Sequence, residues 1–413
     1  MSARKDKPVV VAMEPAPPAS IPAAVVWLVC GYLLLLPLAD LLLHWGSALV
    51  GGMEITRDRA RFAVINALTL TGFQTSRPVD GYAPAGQFIF LLLMLAGSLL
   101  PMIVGGLAMV RVLRLPYSDR RIAQSACLAS SLAAVIGAIP LIGDGQPPLD
   151  AFFASTSAFA NCGLYVGQLP RVWDWQTHLV LMPLAVLGGL GLPVLLELYD
   201  AVFHRRSIST HARSVLGMTA GVYLAVFILS LAAFWLETEG DGASVRAAGQ
   251  VSVAAVNCRT AGFPFQMAAG FPRTMQWLLV CAMIIGGGSA GTAGGLKVTT
   301  LAAVFRGAVM AMRGQSPGRP FGIALAWLGL YLGLAMVGFL LLLALVPQQP
   351  VDRLLFMAIS ALSNVGLSHE AILIVGPGLD VLSAMMLLGR LVPLAVLWWM
   401  ARTTRDAELA VAG

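Results

Sequence analysis

The chain has 413 residues, 58% of them hydrophobic and only 11% charged, with a mean hydropathy of +0.83 and a formal net charge of +6. Soluble domains carry about 25% charged residues, so this composition excludes a disordered chain, a nucleic-acid binder and a soluble enzyme with a large polar surface. It is the composition of an all-α polytopic membrane protein, in which the positive charge has to be read through topology.

The first 20 residues are polar and Pro-rich, with Arg4, Lys5 and Lys7. So many apolar runs follow that they read as a cytoplasmic tail before a retained anchor, not as a cleaved signal. A membrane-crossing helix needs roughly 20 apolar residues. Runs free of Asp, Glu, Lys and Arg are 21–39, 81–110, 122–142, 175–196, 214–236, 274–296 and 320–351, and an eighth, 381–401, is interrupted only by Arg390. Eight spans put both termini on one side. That side carries 15 basic residues, in the two tails and the loops near Arg111, Arg205 and Arg313, against 9 on the other. Short cytoplasmic loops are enriched in Lys and Arg, so both termini are predicted to be cytoplasmic.

Each outer connection holds a second apolar stretch too short to cross: 62–71, 151–162, 247–256 and 354–365. Each leads to a glycine, in the pairs Thr71-Gly72, Cys162-Gly163, Ala261-Gly262 and Val365-Gly366, and the glycines are 91, 99 and 104 residues apart. The layout is a fourfold repeat of span, short helix, glycine and span. A helix of this length must enter the membrane and turn back, which leaves backbone carbonyls at membrane depth, tolerated only where they are buried or line a water-filled path. Asp58, Asp150 and Asp352 lie 14, 13 and 14 residues before their glycines, where an acid can cap the outer end of the short helix. Asp241 and Ser244 are the candidates in the third repeat. With outer N-termini, the negative dipole ends of all four short helices meet at mid-membrane, where a cation is stabilised. Glycine supplies the backbone conformations that a ring of coordinating carbonyls needs.

The sixth span is interrupted by Gly286, Gly287, Gly288, Gly291, Gly294 and Gly295, followed by Lys297. Six glycines in ten residues cost about 1 kcal/mol each relative to Ala in a helix, so the span is predicted to break and to form a mobile plug beside an intramembrane lysine. No strand precedes the run and no acid follows at the required distance, which excludes a dinucleotide fold, and Leu296 separates Gly295 from Lys297, which excludes a P-loop. Arg390, in the middle of the last span, either faces the ion path or ties helices together. Cys30, Cys127, Cys162, Cys258 and Cys281 have no metal-ligand spacing and read as buried free thiols.

These features resemble the pore-forming subunit of the Trk/Ktr/HKT superfamily of potassium transporters. The resemblance runs from about Val26 to Ala401 and is carried by the segments 257–263, 287–300 and 386–394, with 188–198 also similar. It implies four joined repeats, at 21–113, 119–204, 213–313 and 320–402, around one pore, and short tails at 1–20 and 403–413. The eight visible spans favour the shorter Ktr-like layout. The resemblance further implies a homodimer in the bacterial inner membrane, with potassium as substrate and coordinated at the four glycines, and a separate cytosolic nucleotide-binding regulatory ring. No cofactor is expected in the chain itself. The function expected is potassium uptake through a gated, channel-like pore. A sodium- or proton-coupled symporter is the rival within transport, and a polytopic membrane enzyme the rival from another class.

Overall fold

The computed structural model describes residues 22–46, 55–237 and 245–403. The predicted tail at 1–20 and all of the predicted tail at 403–413 except Thr403 lie outside these residues, as do Asp241 and Ser244. Among the described residues the regular elements are helical, with two isolated β-bridges as the only extended pairing.

Among the described residues six helices are long and apolar enough to cross a membrane, or seven where a bent pair is counted as one span. In chain order the elements are α1 (Ala23–Trp45), α2 (Arg57–Leu68), α3 (Pro84–Leu113), α4 (Asp119–Gly143), α5 (Pro148–Ala160), the bent pair α6 (Thr177–Leu190) and α7 (Leu192–His204), α8 (Thr210–Glu237) and α9 (Val245–Val256). They continue with α10 (Arg273–Ile284), α11 (Val298–Met312), α12 (Arg319–Leu345), α13 (Val351–Leu362) and α14 (Pro377–Thr403). The expected sixth span is broken as its glycines require. α10 ends at Ile284, α11 begins at Val298, and an irregular loop joins them.

The polarity of the packing is inverted relative to a soluble protein. α12 exposes Leu332, Met336 and Leu340, and α8 exposes Leu224, Ile228 and Leu229, the outward apolar faces that suit a lipid solvent. The four short helices α2, α5, α9 and α13, of 12, 13, 12 and 12 residues, lie inside the ring of long ones. At about 1.5 Å per residue they reach only about 18–20 Å. Their interior placement is visible in α5, where every residue from Phe153 to Ala160 is buried, including the polar Ser155, Thr156 and Ser157.

Two expectations need correction. Asp58, Asp150 and Asp352 sit within the first turns of their helices, but the N-cap positions belong to Thr56, Pro147 and Pro350, and no side chain makes a capping hydrogen bond there. The acids act through proximity to the positive helix end, and Asp58 also accepts a bond of 3.1 Å from the Gly376 amide. A hydrogen bond from Thr56 is the largest influence on Asp58 and holds its carboxyl below the usual range. Of the five cysteines only Cys162 and Cys258 are buried, because Cys30, Cys127 and Cys281 lie on the outward faces of their helices.

A third feature is a break that hydrophobicity alone does not reveal. The run 175–196 is free of Asp, Glu, Lys and Arg, yet α6 and α7 meet at 106°. Gly191 forms the corner with φ 94° and ψ 144°, a region that only glycine enters readily. A Cβ at Gly191 would also lie 2.1 Å from the Ser289 carbonyl oxygen. Gly191→Ala is therefore expected to cost about 1–3 kcal/mol in backbone strain alone and to lower the melting temperature of the detergent-solubilised protein. Gly329→Ala, on the outward face of α12 with nothing within 4 Å, is the control and should leave it unchanged or raise it.

Candidate functional site: four glycine segments and the loop beneath them

The segments following the four short helices converge. A Cβ added to Gly72 would lie 1.5 Å from the Cys162 carbonyl oxygen, one on Gly163 2.7 Å from that of Ala261, one on Gly262 2.1 Å from that of Val365, and one on Gly366 1.9 Å from that of Thr71. The contacts run from first to second, second to third, third to fourth and fourth back to first, so the segments close a ring. All four glycines have positive φ, of 79°, 79°, 66° and 81°, and their neighbours Thr71, Cys162, Ala261 and Val365 are fully buried. The ring thus brings together the eight residues that the sequence singles out, with main-chain carbonyls packed against the edges of neighbouring segments. It is backed by the C-terminal ends of four helices, where orphan carbonyls carry partial negative charge.

Four asparagines hold this backbone, in two alternating ways. Asn66 donates to the Phe73 carbonyl at 2.9 Å and accepts from the Phe73 amide at 2.9 Å. Asn257 makes the same reciprocal pair with Phe263, at 2.6 and 2.8 Å. Each clamps the residue that follows the glycine. Asn161 and Asn364 instead reach outward to the next long helix, donating to the carbonyls of Ala185 at 3.0 Å and Met386 at 2.9 Å. Both adopt positive φ at the helix end, 55° and 50°, a conformation Asn tolerates better than most side chains. Segments one and three are clamped internally; segments two and four are braced from outside. The sequence signal was an Asn at or near the end of each short helix.

The loop between α10 and α11 lies against the ends of these helices. Thr292 Oγ1 donates to the Phe159 carbonyl at 3.0 Å and pairs with Asn161 at 2.8 Å. A Cβ on Gly294 would lie 2.0 Å from the Ser363 carbonyl oxygen. Gly287 and Gly288 pack instead on the C-terminal end of α6, where added Cβ atoms would lie 2.2 and 2.1 Å from the Gly189 and Leu190 carbonyl oxygens. Gly291 faces the same end, 2.8 Å from the Gly189 carbonyl oxygen by the same measure, while Gly286 and Gly295 close the base of the loop on each other. The loop is stitched to α6 by bonds from the Gly288 amide to the Gly189 carbonyl at 2.7 Å and from the Thr292 amide to the Gly188 carbonyl at 3.0 Å.

Three buried cations brace it. Arg390 donates through Nε and Nη2 to the Thr69 carbonyl at 3.0 and 2.6 Å, and through Nη1 to the Thr292 carbonyl at 2.8 Å. It bridges the end of α2 to the loop, so both the tie and a charge beside the ring are present in one side chain. Lys297 donates back to the Ala293 carbonyl at 2.8 Å. Arg259, which the sequence reading left out of the site, donates to the carbonyls of Gly286 at 2.7 Å and Thr219 at 3.2 Å. Its position one residue after Cys258 in an apolar stretch was the available signal. The loop therefore touches the end of α5 through Thr292, the segment after α9 through Arg259 and the end of α13 through Gly294, and is tied to α2 through Arg390.

Comparison with known proteins shows the family of the chain. The TrkH family profile, described as a cation transport protein, matches residues 125–401. The chain is 26% identical over 398 residues to the Ktr system potassium uptake protein B of Vibrio alginolyticus, covering 86% of each. It is 24% identical over 394 residues to the protein of the same name from Bacillus subtilis (strain 168), covering 84% of this chain and 86% of the other. Over 308 residues it is 26% identical to the potassium/sodium uptake protein NtpJ of Enterococcus hirae, 64% of each chain. In fold it is similar to the potassium transporter TrkH of Vibrio parahaemolyticus, with a TM-score of 0.74, 20% identity, and coverage of 94% of this chain and 86% of that one. These relatives are transporters, which removes the membrane-enzyme alternative. With two thirds of its length matched and its glycine segments closed into one ring at the ends of four buried helices, the chain belongs to the TrkH family of cation transport proteins, as a pore subunit of the Trk/Ktr superfamily.

Proposed function

We propose that the chain conducts potassium into the cell across the bacterial inner membrane, through a gated, channel-like path whose selectivity filter is the ring at Gly72, Gly163, Gly262 and Gly366. The observation that carries this reading is the ring itself. Four backbone segments present carbonyls at the ends of four buried helices, an arrangement that replaces the hydration shell of a cation. On this reading the chain is four repeats, with boundaries at 21–113, 119–204, 213–313 and 320–402, and the interrupted helices α6/α7 and α10/α11 complete its eight spans. Relatives named potassium uptake proteins of a Ktr system support potassium as the substrate. On the same reading the chain works as a homodimer with both termini cytoplasmic and with a separate cytosolic regulatory subunit, the last in keeping with relatives that are named as parts of a Ktr system.

The loop is the gate of this proposal. It lies at the ends of the short helices, and its contacts are bonds to single backbone carbonyls that can be exchanged. Arg390 holds it closed and places a positive charge beside the path, Coulomb repulsion between unit charges about 7 Å apart being roughly 2 kcal/mol at an effective dielectric of about 20. The name potassium/sodium uptake protein borne by one relative favours a second reading, sodium-coupled symport. Purified protein in liposomes separates the two. A potassium current that reverses at the potassium equilibrium potential whatever the sodium gradient supports the channel, and a reversal potential that moves with sodium overturns it.

Four variants at three positions test the parts. Gly72→Ser places a side chain where even a Cβ meets the Cys162 carbonyl at 1.5 Å; the potassium-to-sodium permeability ratio should fall, and an unchanged ratio sinks the filter assignment. Thr292→Val keeps shape but removes the hydroxyl that joins the loop to Phe159 and Asn161, so rubidium flux into liposomes should rise; equal or lower flux in a folded variant means that this contact does not gate. Arg390→Gln removes the charge and part of the donor fork, and should raise flux with some loss of thermal stability, whereas Arg390→Lys should stay closer to the parent in flux because the charge is kept. If the Gln variant transports like the parent while both variants melt earlier, Arg390 is a structural tie only.

A further inference from the structure

Beside the loop, and separate from the ring, lies a cavity of about 340 Å³ between α6 and α8. It falls in the range of about 300–1,000 Å³ usual for small-molecule sites. Its long walls are apolar, with Val186 and Leu190 on one side and Leu216 and Ala220 on the other. Ala220 and Val186 are exposed, so the mouth opens on the outward apolar surface, while Arg259 and Gly287, both buried, stand at the inner end.

Two polar atoms of the lining residues are orphaned. Nε of Arg259 and Oγ1 of Thr219 lie behind the cavity wall, buried without a hydrogen-bond partner. Arg259 is only 7% exposed, and among the described residues no carboxylate pairs with it. A buried donor left unmade costs about 1–3 kcal/mol, and more when it is charged. Water is a poor remedy, since a buried water wants two to four polar partners and the unpaired side-chain groups here are one N–H and one hydroxyl, the Tyr223 hydroxyl of the lining being already paired with Ser252 at 2.8 Å. What fits is a long apolar body with an anionic oxygen at one end. A diacyl phospholipid does not, because its headgroup would have to enter a space of this size to reach the inner end.

We propose that this crevice binds the single chain of a long-chain carboxylate, its acid group meeting the Arg259 guanidinium at the inner end and accepting from Arg259 Nε and Thr219 Oγ1 once these side chains turn toward it, and its chain running along α6 and α8 to the lipid. The occupant fills the space behind Gly287 and neutralises the guanidinium that holds the Gly286 carbonyl. Its expected effect, lower ion flux by stiffening the loop, rests on the proposal that the loop is the gate; the binding does not.

The test uses the full chain in lipid nanodiscs, photolabelled with palmitate bearing a diazirine and, separately, with a phosphatidylglycerol carrying the same chain, followed by peptide mapping. Palmitate should label the crevice residues of α6 and α8 several-fold above the outward face of α12, and the phospholipid should not. Ala220→Trp, which blocks the mouth from an exposed position, and Thr219→Val should each cut that labelling several-fold while leaving α12 labelling unchanged. Crevice labelling no higher than on α12, insensitivity to both variants, or stronger labelling by the phospholipid would overturn the proposal. So would a disulfide-linked dimer formed through Ala220→Cys, which would mean that a second copy covers the mouth. If labelling behaves as expected but palmitate leaves flux unchanged, the site stands and it is the gating role of the loop that fails.

Discussion

Backbone N–H and C=O groups at membrane depth have no water to turn to, and that requirement shapes the interior of this protein. Breaking one span leaves a set of orphan groups. Here two helical breaks lie side by side and serve each other: the loop between α10 and α11 donates to Gly188 and Gly189 at the end of α6, and the Leu192 amide at the start of α7 bonds back to the Ala290 carbonyl at 3.2 Å. The loop also closes on itself, through bonds from Gly286 to Leu296 at 2.7 Å and from Leu296 to Ile284 at 2.9 Å. The irregular backbone is thus a paired structure, and its stability depends on both breaks being present.

The carbonyls that remain at the ends of the short helices are met by side chains or by close packing. Tyr32 donates to the Leu68 carbonyl at 2.8 Å, Arg390 to that of Thr69, and Thr292 to that of Phe159. Packing at this depth requires small residues on the following long helix. Gly97, Gly188 and Gly389 are those residues, where a Cβ would lie 2.4, 1.8 and 2.0 Å from the carbonyl oxygens of Leu68, Phe159 and Leu362. They follow the ring glycines by 25, 25 and 23 residues. A second glycine at this spacing is therefore part of the repeated unit, and it answers to packing where the first answers to backbone conformation.

Much of this was legible in the sequence, because composition and run length report directly on lipid exposure. The long outward helices, the four short buried ones, the glycine after each and the break before Lys297 all follow from hydrophobicity and glycine placement. The bend at Gly191 did not, since every residue around it is apolar and nothing in a hydropathy window distinguishes a corner from a straight helix; its cause is a partner loop roughly 100 residues away. The acids before the short helices pointed to the correct helix ends but the wrong bond, because proline and Thr56 already fill the cap positions. Arg259 was masked by the motif around it. Its role depends on the Gly286 carbonyl, a contact that only the folded chain provides.

The two kinds of asparagine give the ring a property that four identical segments would lack. Asn66 and Asn257 clamp within their own segments, so the first and third, opposite each other in the ring, are rigid by themselves. Asn161 and Asn364 belong to the second and fourth, and each also reaches a group outside its own segment: Thr292 of the loop for one, Thr71 Oγ1 of the first segment at 3.0 Å for the other. The loop is joined to the second segment through Asn161, to the third through Arg259, and to the end of the helix before the first through Arg390. On the proposed reading of the ring as a filter, the first and third segments hold their carbonyl spacing by clamps of their own, whereas the bracing of the second and fourth depends on groups that belong to other parts of the chain.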